Sequence, residues 1–186
     1  CRYTAIHVPP EGCDSLHYNS DAWELDEFWG FDDYHDDVDF LDQATSSANF
    51  TMTDQYGEEL NLYSFCGRQI MLVVSAGWCG PCRAEAETLQ AVAEAYPEVQ
   101  IITMLTQDSA QNPASVDFVQ EWAEQYGFIN IAAVTTNEPA PTTLQEYFAQ
   151  ASTQWDIDGY LPTMYHLDSN MRVISADEGV TEPPTL

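Results

Sequence analysis

The segment Trp78-Cys79-Gly80-Pro81-Cys82 sits between two runs of different periodicity. Before it, Gln69 to Ala76 (QIMLVVSA) is apolar at odd and even positions alike and rich in β-branched residues. Such a run predicts a central strand covered on both faces. After it, Cys82 to Ala95 reads as a helix, with Leu89, Val92, Ala93 and Tyr96 along one stripe and Pro97 at its end. A buried strand that feeds directly into a helix belongs to a layered α/β architecture, and it leaves both cysteines at the helix start.

That placement has chemical consequences. The first N–H groups of a helix lack intrahelical partners, and the helix dipole adds positive potential there. A cysteine at this point has its thiolate stabilised. Two intervening residues let the sulfurs close into a disulfide, and Pro81 suits an early helical position that needs no N–H bond. The spacing therefore points to thiol–disulfide exchange. Cys79, expected to be the exposed member, is the nucleophile, and Cys82, more buried, resolves the mixed disulfide. Half of a zinc site is the competing reading, but zinc needs two more ligands. No second Cys-x-x-Cys exists, and His7, His17, His35 and His166 show no ligand spacing. No metal is expected, and no cofactor beyond the Cys79–Cys82 pair itself.

The remaining pattern divides the chain near residue 47. Residues 1–47 are dense in acidic and aromatic side chains, with Asp32-Asp33-Tyr34-His35-Asp36-Asp37-Val38-Asp39 the most acidic part. They read as a partly ordered arm packed on the domain behind it. The acidic run lacks the spacing of a calcium loop and reads as a solvated face. Residues 48–186 read as a domain. Strands are expected at Phe50 to Thr53, Glu59 to Leu62, Val99 to Leu105, Ile129 to Val134, Thr163 to Leu167 and Met171 to Ser175. Helices are expected at Ser115 to Tyr126 and Thr142 to Ala151, with turns at Asp54-Gln55-Tyr56-Gly57 and Asp168-Ser169-Asn170. Strands alternating with helices and closing on a hairpin give a mixed central sheet flanked by helices.

Charge narrows the partners. The chain of 186 residues has 31 Asp plus Glu, four Arg, no Lys and a formal net charge of -27. It would repel phosphate backbones, so no nucleic-acid partner is expected. No apolar run approaches the roughly 18 residues that span a bilayer. Five cysteines leave Cys1, Cys13 and Cys66 beside the redox pair. In an oxidising compartment either Cys1–Cys13 or Cys13–Cys66 would form a structural disulfide, and the sequence does not choose. Cys66 reads as a buried or structural thiol. Cys1 reads equally as the lipid-bearing residue of a processed lipoprotein, the one expected route to a membrane, or as a chain boundary.

The motif resembles the active site of the thioredoxin superfamily. The region from about Ala48 to Val180 is similar to its exported TlpA/ResA-like branch and to AhpC/TSA-type domains. The similarity rests on Phe50-x-x-x-Asp54-x-x-Gly57, on Cys82-Arg83-x-Glu85, and on the segment Trp155 to Thr163. The resemblance implies a thioredoxin-like fold and a thiol–disulfide oxidoreductase outside the cytoplasm, in periplasm, envelope or medium. Its partners would be protein disulfides or dithiols and an electron donor still to be identified. It implies that Pro162 is a cis-proline facing the cysteines and that the backbone of Leu161 pairs with an extended substrate segment. Gly80 and Pro81 would contribute to that docking face, and Trp78 would shield and shape it. Glu85 would tune thiol ionisation or move protons; a solvent-facing helix carboxylate is the plainer alternative. Gly-Pro between the cysteines resembles the reducing members of the superfamily. The family's helix-kinking Pro is replaced here by Glu87, which predicts a straighter helix. The buried Asp of thioredoxin proper is replaced by Val73. Two other readings stand beside this one: a redox-inactive thioredoxin-like binding module that uses the acidic arm, and a Sco-like copper carrier that would enlist His166.

Overall fold

A computed structural model describes residues 51–65, 67–136, 160–169 and 173–179. The arm over 1–47, the helix expected over 142–151, and Cys1, Cys13 and Cys66 lie outside the described residues.

The described strands form one sheet. In chain order they are β1 (Thr51–Asp54), β2 (Glu59–Asn61), β3 (Gln69–Ser75), β4 (Val99–Leu105), β5 (Ala132–Thr136), β6 (Thr163–Leu167) and β7 (Val173–Glu178). Two α-helices, α1 (Gly80–Ala95) and α2 (Val116–Gln125), and a 3-10 helix at Leu62–Phe65 accompany them. The strand order is β2-β1-β5-β4-β3-β6-β7. β3, β4 and β5 run parallel, while β6 pairs antiparallel with β3, β7 with β6, β1 with β5 and β2 with β1. The mixed α/β sheet expected from the sequence is the observed architecture.

The double-sided apolar character of β3 explains its central position. Ile70, Leu72 and Val74 point to one face, where they join Met52, Ile102, Met104, Val134, Tyr165 and the 3-10 residues Leu62 and Phe65. Met71 and Val73 point to the other, where they meet Ala86, Leu89 and Ala93 of α1 and Val119, Trp122 and Ala123 of α2. Both described α-helices thus cover the same face. Each fully buried aliphatic or aromatic side chain of this kind contributes about 1.5–3 kcal/mol, so β3 is anchored from both sides where it hands over to α1.

Two turns set the sheet's edges. Asp54 is fully buried and accepts the N–H groups of Tyr56 and Glu58, each at 2.8 Å, which closes the turn between β1 and β2. Gln55 spans to the start of β5, donating to the Ile131 carbonyl at 2.9 Å and accepting from the Ala133 N–H at 3.0 Å. β5 begins at Ala132 rather than at Ile129. Gly127 at φ +67 ends α2, and the Phe128 N–H turns back to the Ala123 carbonyl, so the chain reaches sheet register only afterwards.

Candidate redox site

The helix begins earlier than periodicity suggested because Cys79 itself caps it. Cys79 has extended backbone angles (φ -78, ψ 115), and its Sγ accepts the Cys82 N–H at 3.2 Å. Sulfur here takes the place that Ser or Asp oxygen occupies in ordinary caps. Gly80 and Pro81 form the first positions of α1 and are exposed, and a Cβ on Gly80 would meet nothing within 4 Å. α1 then runs unbroken through Glu87 to Ala95. In a chain this acidic, the first turn of α1 holds no acidic side chain, so none opposes the helix dipole within that turn.

Cys79 and Cys82 are joined as a disulfide, with Cα atoms 5.3 Å apart. Cys79 was expected to be exposed; it is only 4% accessible, against 1% for Cys82. The order is as expected, but the exposure is much smaller. The cause is the packing of both sulfurs with Ala76, against which Leu161 also lies. Glu85 is 2% accessible. The solvent-facing alternative for this carboxylate is therefore wrong: it lies one turn beyond Cys82 on the buried side of α1.

The second half of the site comes from the far end of the described chain. The Leu161–Pro162 peptide bond is cis. The Leu161 carbonyl oxygen lies 3.4 Å from Cys79 Sγ. Pro162 is buried, Leu161 is half-buried and Tyr160 is exposed. Trp78 is 42% accessible, so it is a surface residue of the site and not a core one.

Trp78 is oriented by a contact that sequence reasoning did not find. Its indole Nε1 donates to Gln107 Oε1 at 2.9 Å, and Gln107 Nε2 donates to the Gln111 carbonyl at 3.0 Å. Asp108 stabilises the same loop by accepting the N–H groups of Ala110 and Asn112 at 2.8 and 2.9 Å. The Asn112 side chain, then its backbone N–H, hold the Asp108 carboxyl below its ordinary range. The loop packs against Gly77, where a Cβ would meet the Ser109 nitrogen at 2.8 Å and the Asp108 carbonyl carbon at 2.9 Å. From the other side, Arg83 Nη1 donates to the Gly77 carbonyl at 3.0 Å. No sequence signal couples Gln107 to Trp78; only the Asp108-x-x-x-Asn112 turn was there to be read.

His166 lies on β6 opposite Met71 of β3 and Ser175 of β7. It is buried, with Nε2 3.7 Å from Asp177 Oδ2. Burial pushes its pKa down, and the Asp177 carboxylate partly opposes that shift. Among the described residues no group of three His, Cys, Asp or Glu side chains is arranged to hold a metal ion.

A thioredoxin-like sheet with a disulfide across the first turn of the helix that leaves its central strand defines a thiol–disulfide oxidoreductase of the thioredoxin superfamily. The chain belongs to the AhpC/TSA family, whose profile matches residues 44–176. No curated protein matches it by sequence. Among solved structures it is similar to the thioredoxin domain of a thiol-disulfide oxidoreductase from Bacteroides vulgatus, with 14% identity, a TM-score of 0.58, and coverage of 73% of this chain and 88% of that one. It is also similar to the exposed lipoprotein thioredoxin of Streptococcus pneumoniae, with 18% identity, a TM-score of 0.55, and coverage of 73% and 92%. A thiol:disulfide interchange protein from Chlorobium tepidum gives 19% identity, a TM-score of 0.54, and coverage of 74% and 88%.

Proposed function

We propose that this protein reduces disulfides of partner proteins outside the cytoplasm, with Cys79 as nucleophile and Cys82 as resolving thiol. The observation that carries the reading is the position of Cys79. Its sulfur caps α1, is bonded to Cys82, and lies beside the carbonyl preceding a cis-proline.

The chemistry balances as follows. In the reduced protein the Cys79 thiolate attacks one sulfur of a partner disulfide, and the other partner sulfur leaves as a thiolate that takes up a proton. The Cys82 thiolate then attacks Cys79 Sγ, which releases the second partner thiol and closes the Cys79–Cys82 disulfide. Two electrons pass to the partner, and a separate dithiol donor must return the protein to its reduced form. Glu85, buried one turn beyond Cys82, takes up the proton that the resolving thiol gives up as it becomes the attacking thiolate. Trp78, Gly80, Pro81 and the Leu161–Pro162 backbone form the surface on which the partner docks.

The direction of electron flow rests on the Gly-Pro pair between the cysteines, which resembles reducing members of the superfamily. The extracytoplasmic setting rests on the resemblance to the exported branch. The test is insulin-disulfide reduction in the presence of dithiothreitol, with Cys79→Ser as control, together with a glutathione redox titration. Activity lost in the variant and a potential near that of thioredoxin, about -270 mV, are expected. A potential near about -120 mV would make the protein an oxidant instead. Labelling of intact cells with a membrane-impermeant thiol reagent tests the location.

A further inference from the structure

The cis-proline segment is held by the end of β7 as well as by its own strand. β6 and β7 pair as far as Thr163 opposite Glu178. β7 then extends past the start of β6. The Gly179 N–H donates to the Pro162 carbonyl at 2.9 Å, which extends the ladder by one bond. Glu178 Oε1 accepts the Tyr160 N–H at 2.8 Å, and Thr163 Oγ1 donates to the Tyr160 carbonyl at 2.6 Å. Both backbone polar groups of Tyr160 are therefore used inside the protein. Leu161, the next residue, has its carbonyl at Cys79 Sγ.

We infer that Glu178 is a positioning residue that sets the register in which an extended disulfide-bearing partner docks beside Cys79. The inference rests on the reductase reading above. An incoming strand needs free backbone donors and acceptors to pair with. With its N–H taken by Glu178, Tyr160 offers an incoming strand no donor, so pairing centres on Leu161 and the partner's disulfide is brought to Cys79 in one register. Without the carboxylate, the Tyr160 N–H becomes a second donor and the segment gains freedom, so a strand can engage one residue out of place. A slip of one residue would turn the disulfide-bearing side chain to the opposite face. The substrate class this favours is an extended peptide, with backbone free on both sides of its cysteine, in preference to a small disulfide.

The test compares two substrates. Wild type, Glu178→Ala and Glu178→Gln are each reduced beforehand and taken through a single turnover with substrate in excess, so that half-saturation and limiting rate stand for KM and kcat. They are assayed against an extended peptide containing a mixed disulfide with glutathione, and against the aromatic disulfide DTNB, which has no backbone to pair. Glu178→Ala is expected to raise KM for the peptide about tenfold, in keeping with loss of one charge-assisted hydrogen bond. Its kcat for the peptide and its rate with DTNB should stay within about twofold, allowing for the ordinary scatter of surface substitutions. Glu178→Gln keeps an acceptor oxygen and should restore most of the peptide KM. Equal losses on both substrates, or an unchanged peptide KM in Glu178→Ala, would overturn the role of Glu178. Wild type inert toward both substrates would instead overturn the reductase reading.

Discussion

The carbonyl oxygen of Leu161 lies 3.4 Å from the sulfur of Cys79, although 82 positions separate the two residues in the chain. The sheet makes this contact. β3 delivers Cys79 at its C-terminal end, and β6 runs antiparallel beside it, with Val74 opposite Thr163, so the residues just before β6 arrive at the same level. The reactive sulfur is thus built from one local feature, a helix cap, and one long-range feature, a strand pairing.

Glu85 supplies the first prediction. Its carboxyl group is buried one turn beyond Cys82, and any negative charge it carries disfavours a second one on a neighbouring sulfur. In reduced protein, Glu85→Gln is expected to speed iodoacetamide alkylation of the cysteine pair at neutral pH roughly three- to tenfold, as loss of one like charge in a partly screened site would. It should also slow resolution of the mixed disulfide, because an amide cannot take up the proton proposed to pass to Glu85. Unchanged rates of both steps would reduce Glu85 to a packing role.

Gly77 supplies the second. A methyl group at this position would meet the backbone at Ser109 and Asp108, at 2.8 and 2.9 Å, as well as the Phe118 ring. Backbone cannot rotate away as a side chain can. Gly77→Ala is therefore expected to destabilise the oxidised protein by about 1–3 kcal/mol, the usual cost of overpacking. It should also alter Trp78 fluorescence, since the Gln107 loop that holds the indole must move. Chemical denaturation read by both probes checks this, and a wild-type midpoint would refute it.

How far the sequence alone reaches is visible in these residues. The strand over Gln69 to Ala76 ends at Ser75, and the α1 stripe of Leu89, Val92 and Ala93 packs on the sheet as its spacing requires. Both signals are local and strong. α1 starts at Gly80, ahead of the apolar stripe, because Cys79 is its cap as well as a redox sulfur, and a cysteine carries no cap signal of the kind Ser or Asp does. β7 runs on to Glu178 where the pattern stopped at Ser175, since Asp177 and Glu178 look like loop residues until they are paired with Met164 and Thr163. The Gln107–Trp78 and Glu178–Tyr160 hydrogen bonds had no signature at all. Each joins polar groups that suit a surface equally well unpaired, and only the fold brings them together.

His166 supplies the third prediction. Burial holds its folded pKa below the ordinary value of 6.5, so the unfolded chain binds the proton more readily. The stability linked to His166 is therefore complete above that value and declines as pH falls through it toward the lower folded value. Asp177 softens the decline by favouring the charged ring. Comparison of His166→Gln with wild type by urea denaturation should show a stability difference that shrinks from pH 7.5 toward acid, because the variant lacks this proton uptake. A difference independent of pH across that range would refute the assignment.

The most direct measurement traps the reaction halfway. Reduced Cys82→Ser protein is mixed with a peptide disulfide, and the adduct is mapped by mass spectrometry after digestion. A stable covalent adduct at Cys79 is predicted, with none at Cys82 when Cys79→Ser is treated in the same way. An adduct that forms equally at Cys82 in the Cys79→Ser protein, or none at Cys79, would contradict the assignment of Cys79 as the attacking sulfur.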